Sequence, residues 1–288
     1  MSSILWSLWL CAPEHIYYIV YSHFIGLFGK QLYSAHVTRL PVGLYIKFGD
    51  TSESLLKEAV TTQYVHRSTT IPVPAILDFI KPSNQNCRPL LLMSEVPGHQ
   101  LGSMPLSLNN ISQPQLMKFH DMLGDWLNQL RNLSRPIHNN TVSSISGSAF
   151  SSYHLSFTSS VGPYESVKLF HAQDFCKLHP NASPTMQSLA ASLRQKTYCL
   201  YLTHGDLSPS NILVNDNYKP VGLVDFQCTA WMPEYWEFTS AVWHRQRYMS
   251  WFKLLQEIHI SSVRSGINGW TRALGNNQSM VIDFVTLL

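Results

Sequence analysis

An acid five positions before an asparagine, and a second acid closing an apolar run fourteen residues later, mark the chemically competent part of this chain. The first pair lies in His204-Gly205-Asp206-Leu207-Ser208-Pro209-Ser210-Asn211, the second acid in Val221-Gly222-Leu223-Val224-Asp225-Phe226. Between them Ile212-Leu213-Val214 precedes the turn formers Asn215-Asp216-Asn217-Tyr218-Lys219-Pro220, so two short β-type runs predict a hairpin. With the loop centred on Tyr218, Asn211 falls opposite Asp225. Cross-strand partners hold their Cβ atoms roughly 4.5–5.5 Å apart, close enough to share one metal ion. Asp206 then hangs from the loop just before that corner. An acid to take a proton, beside an Asn and an Asp to hold Mg²⁺, is the working set of metal-assisted phosphoryl transfer.

Asp and Asn are also ordinary turn formers, and a lone Asp-x-x-x-x-Asn would say little. His-Gly-Asp, then Asn, then strand, loop and strand ending on Asp is a narrower pattern. A metal-dependent hydrolase using His204 and Asp206 as ligands would need more His or Asp around this loop than the sequence supplies.

The elements upstream must supply positive charge for such chemistry. Residues 37–40, Pro41-Val42-Gly43 and residues 44–48 predict a hairpin. Its second strand alternates, with Leu44, Ile46 and Phe48 on one face and Tyr45 and Lys47 on the other. Thr51 or Ser52 can cap a helix opened by Glu53. Leu55, Glu58, Ala59 and Thr62 follow helical spacing along it, so Glu58 borders the buried stripe. An acid placed there needs a cationic partner, and Lys47 on the neighbouring strand is the natural one.

Ile71-Pro72-Val73-Pro74 ends that helix. Strand-like runs follow at 75–80 and 90–93, and Ser94-Glu95-Val96-Pro97-Gly98 breaks the pattern between two lobes. Ser112 and Pro114 open a helix with apolar positions 116, 119, 123, 126, 127 and 130; its Met122 and Trp126 are expected in the core. Residues 141–160 hold nine serines and little apolar periodicity, which predicts a long solvated loop or a substrate-side insertion. Another helix starts at Ser183-Pro184 and runs through Lys196, and residues 198–203 form the strand leading into His204. The aromatics Trp231, Tyr235 and Trp236 are expected in the core, ahead of a helical C-terminal region.

The 288 residues suffice for one large domain or two modest lobes. Charged residues make up 13% of the chain and apolar residues 45%. Ordinary globular proteins carry roughly 25% charged residues, so a well-filled core under a surface of uncharged polar groups is expected. A net charge of +3 without a Lys/Arg cluster argues against nucleic acid as a partner. The five cysteines are scattered without zinc-type spacing and read as thiols of a reducing, cytoplasmic setting. The run Ile4-Leu5-Trp6-Ser7-Leu8-Trp9-Leu10-Cys11-Ala12 has no basic residue before it and Pro13 after it, a poor signal peptide. It is also too short to cross a bilayer, which takes about 20 apolar residues. A packed or interfacial helix is expected, with peripheral membrane contact as its use and no transmembrane span.

With these residues in hand, the chain resembles the aminoglycoside phosphotransferase-like family, in particular its fungal branch. The resemblance runs from about residue 37 to about residue 242. It rests on Arg39-Leu40-Pro41-x-Gly43-Leu44-Tyr45-x-Lys47, Ile71-Pro72-Val73-Pro74, and Leu92-Met93 followed by Pro97-Gly98. Gly162-Pro163-Tyr164-Glu165-Ser166, Thr203-His204-Gly205-Asp206 and Trp231-Met232-Pro233-Glu234-Tyr235-Trp236-Glu237 complete it.

The resemblance implies an α+β, bilobal protein-kinase-like fold. It divides the chain into an apolar helical extension (1–30), a small β-rich N-lobe (31–96) and a larger, mainly helical C-lobe (97–288) holding the catalytic hairpin 204–226. It implies ATP in the cleft between the lobes, Mg²⁺, a small-molecule hydroxyl as acceptor, and a monomer. Lys47 would contact the α/β-phosphates and Glu58 would hold Lys47 in place. Asp206 would accept the acceptor's proton, while Asn211 and Asp225 would bind Mg²⁺. His204 would support the loop by hydrogen bonding, and Met93 to Val96, with Glu95, would form the hinge that meets adenine.

Three departures qualify the resemblance. No Gly-x-Gly-x-x-Gly precedes Lys47, Gln227 follows Phe226 where relatives commonly carry Glu, and Ser208 and Ser210 stand where many carry His, Asn or Arg. A pseudokinase serving as a binding module is the alternative. With only 17 Asp and Glu in the chain, a polycationic acceptor such as an aminoglycoside is disfavoured.

Overall fold

The computed structural model describes residues 13–32, 36–82, 84, 87–104, 111–135, 140–243, 250, 251, 254 and 255. The apolar run at 4–12 and most of the C-terminal region after 243 lie outside these residues. The chain divides into two compact units, Met1–Tyr64 with Pro74–Val96, and Val65–Val73 with Pro97–Leu288.

The first unit is built on a five-stranded antiparallel sheet. Its elements are α1 (Glu14–Phe28), β1 (Lys30–Gln31), β2 (Val37–Leu40), β3 (Leu44–Phe48), α2 (Ser52–Ser68), β4 (Ile76–Ile80) and β5 (Leu90–Ser94), with strand order β1-β2-β3-β5-β4. The alternation expected along β3 sorts its two faces. Leu44, Ile46 and Phe48 join Leu40, Ile80, Leu90 and Leu92 on one side, where Tyr17, Tyr18, Tyr21, Phe24 and Ile25 of α1 cover them. On the other side Leu55 and Ala59 of α2 meet Leu91, Ile76, Phe79 and Met93. Helix α1 is thus a packed layer of the sheet. Tyr21 fastens it by donating to the Asp78 carboxylate at 2.7 Å. Thr51 caps α2, its Oγ1 accepting from the Ser54 N–H at 3.1 Å.

The second unit contains β6 (His99–Gln100), α3 (Gln113–Arg131), β7 (Ser143–Ser144), β8 (Phe150–Ser152), β9 (Ser156–Val161) and α4 (Val167–Phe170). It continues with α5 (Pro184–Gln195), β10 (Leu200–Thr203), β11 (Ile212–Val214), β12 (Pro220–Leu223), β13 (Ala230–Pro233) and α6 (Trp236–Trp243). Three small sheets, β10-β13-β7, β12-β11-β6 and β8-β9, stand among its helices. Helix α3 begins with a capping box between Ser112 and Gln115 and buries Phe119, Leu123, Trp126, Leu127 and Leu130. Met122 is only partly buried. Trp231, Tyr235 and Trp236 lie in the core, the last two ringed by Phe170, Phe175 and Tyr198.

The serine-rich stretch departs from expectation. In place of a solvated loop it forms β7, β8 and β9, and Val142, Ser143, Ser144, Ile145, Phe150 and Ser152 are buried. Around β7 its hydroxyls satisfy one another: Ser144 Oγ lies 3.1 Å from Ser146 Oγ and 2.9 Å from Ser148 Oγ, and it accepts from the Ser148 N–H. Serines that pair locally can enter an interior without apolar periodicity, which is why the sequence pattern concealed them. Among the described residues no helix is long and apolar enough to cross a membrane.

Candidate active site

In the first unit the candidate residues gather on β3, α2 and the end of β5. Lys47 Nζ lies 2.8 Å from Glu58 Oε1, with the two side chains 12% and 5% exposed. Strand β3 fixes Lys47 opposite Leu91, on the face that α2 covers, and the α2 stripe carrying Leu55 and Ala59 brings Glu58 there. Burying an ion pair contributes little net stability, whereas removing one partner strands a charge at a cost of about 3–5 kcal/mol. Such a pair is better explained by what it positions than by what it stabilises.

Met93 packs its side chain against the α2 layer. Glu95 is committed to the sheet: its carboxylate meets Arg39 Nη2 at 3.0 Å and the Tyr45 hydroxyl at 3.3 Å, and its N–H donates to Gly43 O at 2.7 Å. The Glu95 N–H therefore has a partner already. The Val96 peptide makes no hydrogen bond to the described residues.

In the second unit the loop between β10 and β11 carries Asp206 and Asn211. Asn211 Nδ2 donates to both the carbonyl and the carboxylate Oδ2 of Asp206, each at 2.9 Å. With its amino end turned to Asp206, the planar amide directs Oδ1 the opposite way. Fully buried His204 uses both ring nitrogens. Nε2–H donates to the Val224 carbonyl at 3.0 Å, and Nδ1 accepts from the Asp206 N–H at 3.3 Å. That pattern fixes the neutral tautomer, leaves His204 unsuited to metal ligation, and ties Asp206 to the residue before Asp225.

The hairpin register differs from the expected one. Ile212 pairs with Leu223 and Val214 with Pro220, with a bulge at Val221, and the Val224 N–H donates to Asn211 O at 3.0 Å. Asn211 thus opposes Val224, and Asp225 comes one residue later. The cause is the loop: Asn215 Oδ1 takes the N–H groups of both Asn217 and Lys219, closing the turn one residue tighter than a centre at Tyr218. In a straight strand that slip would send Asp225 to the opposite face. Asp225 instead leaves the strand with φ 67 and ψ 66 degrees. This left-handed conformation, uncommon outside glycine, breaks the alternation. Strain of this kind concentrates at functional sites.

One residue of this site escaped the sequence reading. Glu237, in the first turn of α6, is buried and accepts from the His204 N–H (Oε2, 2.6 Å) and the Gly205 N–H (Oε1, 3.2 Å). Burial pushes its carboxyl up to about 7, against the lowering effect of those two hydrogen bonds and of Arg131. The signal was available as an acid between Trp236 and Phe238 in a chain poor in acids. Gly205 itself has a left-handed backbone, and a Cβ there would collide with the Cys228 carbonyl. Gly205→Ala is therefore expected to displace the loop and reduce phosphotransfer by at least tenfold, measured as kcat/KM, with a lowered melting temperature.

A five-stranded β-rich unit and a second unit of helices and small sheets make up a kinase-like fold. A sequence model of the phosphotransferase enzyme family matches residues 44–257, and the chain belongs to that family. Its fold is similar to the GDP complex of wild-type aminoglycoside 2'-phosphotransferase-IIIa (TM-score 0.55, 14% identity, 93% of this chain and 98% of that one). It is also similar to aminoglycoside phosphotransferase APH(4)-Ia (TM-score 0.52, 13% identity, 91% and 97%). A third similar fold is ADP-bound APH(2'')-Ib (TM-score 0.51, 14% identity, 93% and 95%). A search of curated protein sequences gave no match.

Proposed function

We propose that the protein is an ATP- and Mg²⁺-dependent phosphotransferase that moves the γ-phosphoryl group to a hydroxyl of a small molecule. The observation that carries this reading is the double hydrogen bond from Asn211 to Asp206, followed just past the next strand by the left-handed Asp225. Asp206 accepts the hydroxyl proton, and Asn211 holds its carboxylate for an incoming acceptor. Lys47, steadied by Glu58, neutralises phosphate charge, and the Val96 peptide meets the base. Rate then comes from positioning and charge neutralisation, with little covalent chemistry asked of the protein.

Asn211 Oδ1 and the Asp225 carboxylate are the hard oxygen donors suited to Mg²⁺, which keeps several waters and takes few protein ligands. Among the described residues no group of three His, Cys, Asp or Glu could hold a metal ion, so a zinc-type centre fits this chain less well. When bound, Mg²⁺ supplies charge neutralisation at the β- and γ-phosphate oxygens. The similar folds crystallised with GDP and ADP support a nucleoside polyphosphate as donor.

Thermal melting with and without MgATP tests this reading. At a hundredfold excess over Kd the ligand should add about 2.7 kcal/mol, a rise of roughly 5–10 °C. Asp225→Ala should abolish the Mg²⁺-dependent part. A flat wild-type response would favour the pseudokinase, a reading that the absence of a glycine-rich motif before Lys47 otherwise recommends. A screen of small alcohols and sugars for phosphate acceptance then identifies the substrate.

A further inference from the structure

Arg131, the last residue of helix α3, reaches out of its own helix. A basic residue in that position ordinarily serves the helix's own free carbonyls. Arg131 Nη2 donates to the carbonyl of Glu234, 103 residues further on, at 2.6 Å. Its guanidinium lies over the Tyr201 ring of β10, 4.7 Å from the centroid. A planar, permanently charged fork held by a hydrogen bond and an aromatic face is fixed in direction.

Arg131, Glu234 and Glu237 line one cavity in the second unit, together with Thr203 and the apolar Leu127, Leu202 and Phe238. Among those lining residues Arg131 is the one cation. A carboxylate cut off from water needs compensating charge, or it takes up a proton. The N–H groups of His204 and Gly205 give Glu237 part of that compensation. Burial raises the Glu237 carboxyl, and those two N–H groups and Arg131 oppose it. Burial likewise lowers the Arg131 guanidinium, with Tyr201, Glu237 and Glu234 opposing. Each group therefore favours the charged form of the other.

We propose that Arg131 is a positioning residue for phosphotransfer: the charge at the end of α3 keeps the Glu237 carboxylate on the His204 and Gly205 N–H groups, and so holds Asp206, the next residue, in place. Arg131 acts on the loop through Glu237. The inference rests on the phosphotransferase reading for its effect on rate.

Arg131→Gln and Arg131→Lys separate this role from a structural one. Both forfeit the guanidinium plate over Tyr201, so a residue that matters for packing alone would give two equally impaired proteins. Positioning by charge predicts a difference. Arg131→Gln should lower kcat about tenfold with the KM for MgATP unchanged, and Arg131→Lys should stay within about threefold of wild type. In a Glu237→Gln background, Arg131→Gln should have no further effect on kcat. Hydrogen exchange at the His204 and Gly205 amides is read beside turnover. Protection there should fall about tenfold in Arg131→Gln and stay at the wild-type level in Arg131→Lys.

Equal losses in the two variants, or an additive loss in the Glu237→Gln background, overturn the proposal. A wild type that phosphorylates no acceptor defeats the phosphotransferase reading alone, because exchange still decides the role of Arg131. Should Arg131→Gln fail to fold, Arg131→Lys decides: protection at the wild-type level upholds the proposal, and a loss of about tenfold overturns it.

Discussion

Asp206→Asn is expected to lower kcat by about a hundred- to ten-thousandfold while leaving the MgATP-dependent rise in melting temperature intact. The two halves of this outcome come from different parts of the loop. An amide at position 206 keeps the side chain's size and still offers an oxygen to Asn211 Nδ2, now 2.9 Å from Asp206 Oδ2, so the loop geometry survives. It cannot take up a proton at working pH. In the proposed reaction nucleotide binding rests on Lys47, Asn211 and Asp225, which the change leaves in place. Single-turnover phosphotransfer beside melting curves would separate chemistry from binding. Equal activity in wild type and variant would remove Asp206 from the reaction; loss of nucleotide stabilisation as well would recast it as a binding residue.

The second large effect belongs to Glu237. Glu237→Gln keeps the shape but turns an NH₂ group toward one of two backbone donors, at His204 or Gly205. Leaving a buried donor unsatisfied costs about 1–3 kcal/mol, and the displaced loop should lower kcat as well.

The pH dependence is sharper still. The Glu237 carboxyl, with Arg131 and Asp206 as its charged neighbours, holds its proton up to about 7 in the folded chain against 4.5 unfolded. Its contribution to stability is full below about 4.5 and is lost as pH rises through 7. Buried His171 works in the opposite sense. Desolvation, reinforced by Arg194, pulls it from 6.5 to about 4, so its contribution is present above 6.5 and is lost as pH falls through 4. Each swing is about 3 kcal/mol at most. Between pH 4.5 and 6.5 they oppose one another, and the wild type should show a nearly level stability profile. Removing Glu237 unmasks His171, so urea unfolding of the variant should show stability rising with pH across that window. A variant as level as the wild type would mean that Glu237 is not titrating near neutrality.

The sequence disclosed the parts of this molecule governed by local periodicity and by turn chemistry. The β2–β3 hairpin, the α2 stripe with Glu58, the capped α3 and the strand into His204 follow from spacing alone, and their bounds lie within a residue or two of expectation. Lys47 and Glu58 could be paired because strand and helix periods each placed one of them on a shared layer. Where a single residue decided the outcome, the pattern fell short. The bulge at Val221 and the double acceptance by Asn215 moved the hairpin register by one, and neither has a periodic signature. The Glu237 anchor is a long-range contact whose partners are backbone N–H groups, which look alike at every position of a sequence.

The buried serines of β7 and β8 carry a regulatory consequence. A tract so rich in hydroxyls would ordinarily be taken for a target of other kinases, open to switching by phosphate. Ser143, Ser144 and Ser152 are almost fully enclosed, and β7 pairs directly with Ala230 and Trp231 of β13. A phosphate at any of the three would carry nearly two negative charges into the interior, where no such group could be solvated. Ser143, Ser144 and Ser152 are therefore closed to phosphorylation, which leaves exposed serines such as Ser146 as the only positions of the tract a kinase could reach among the described residues.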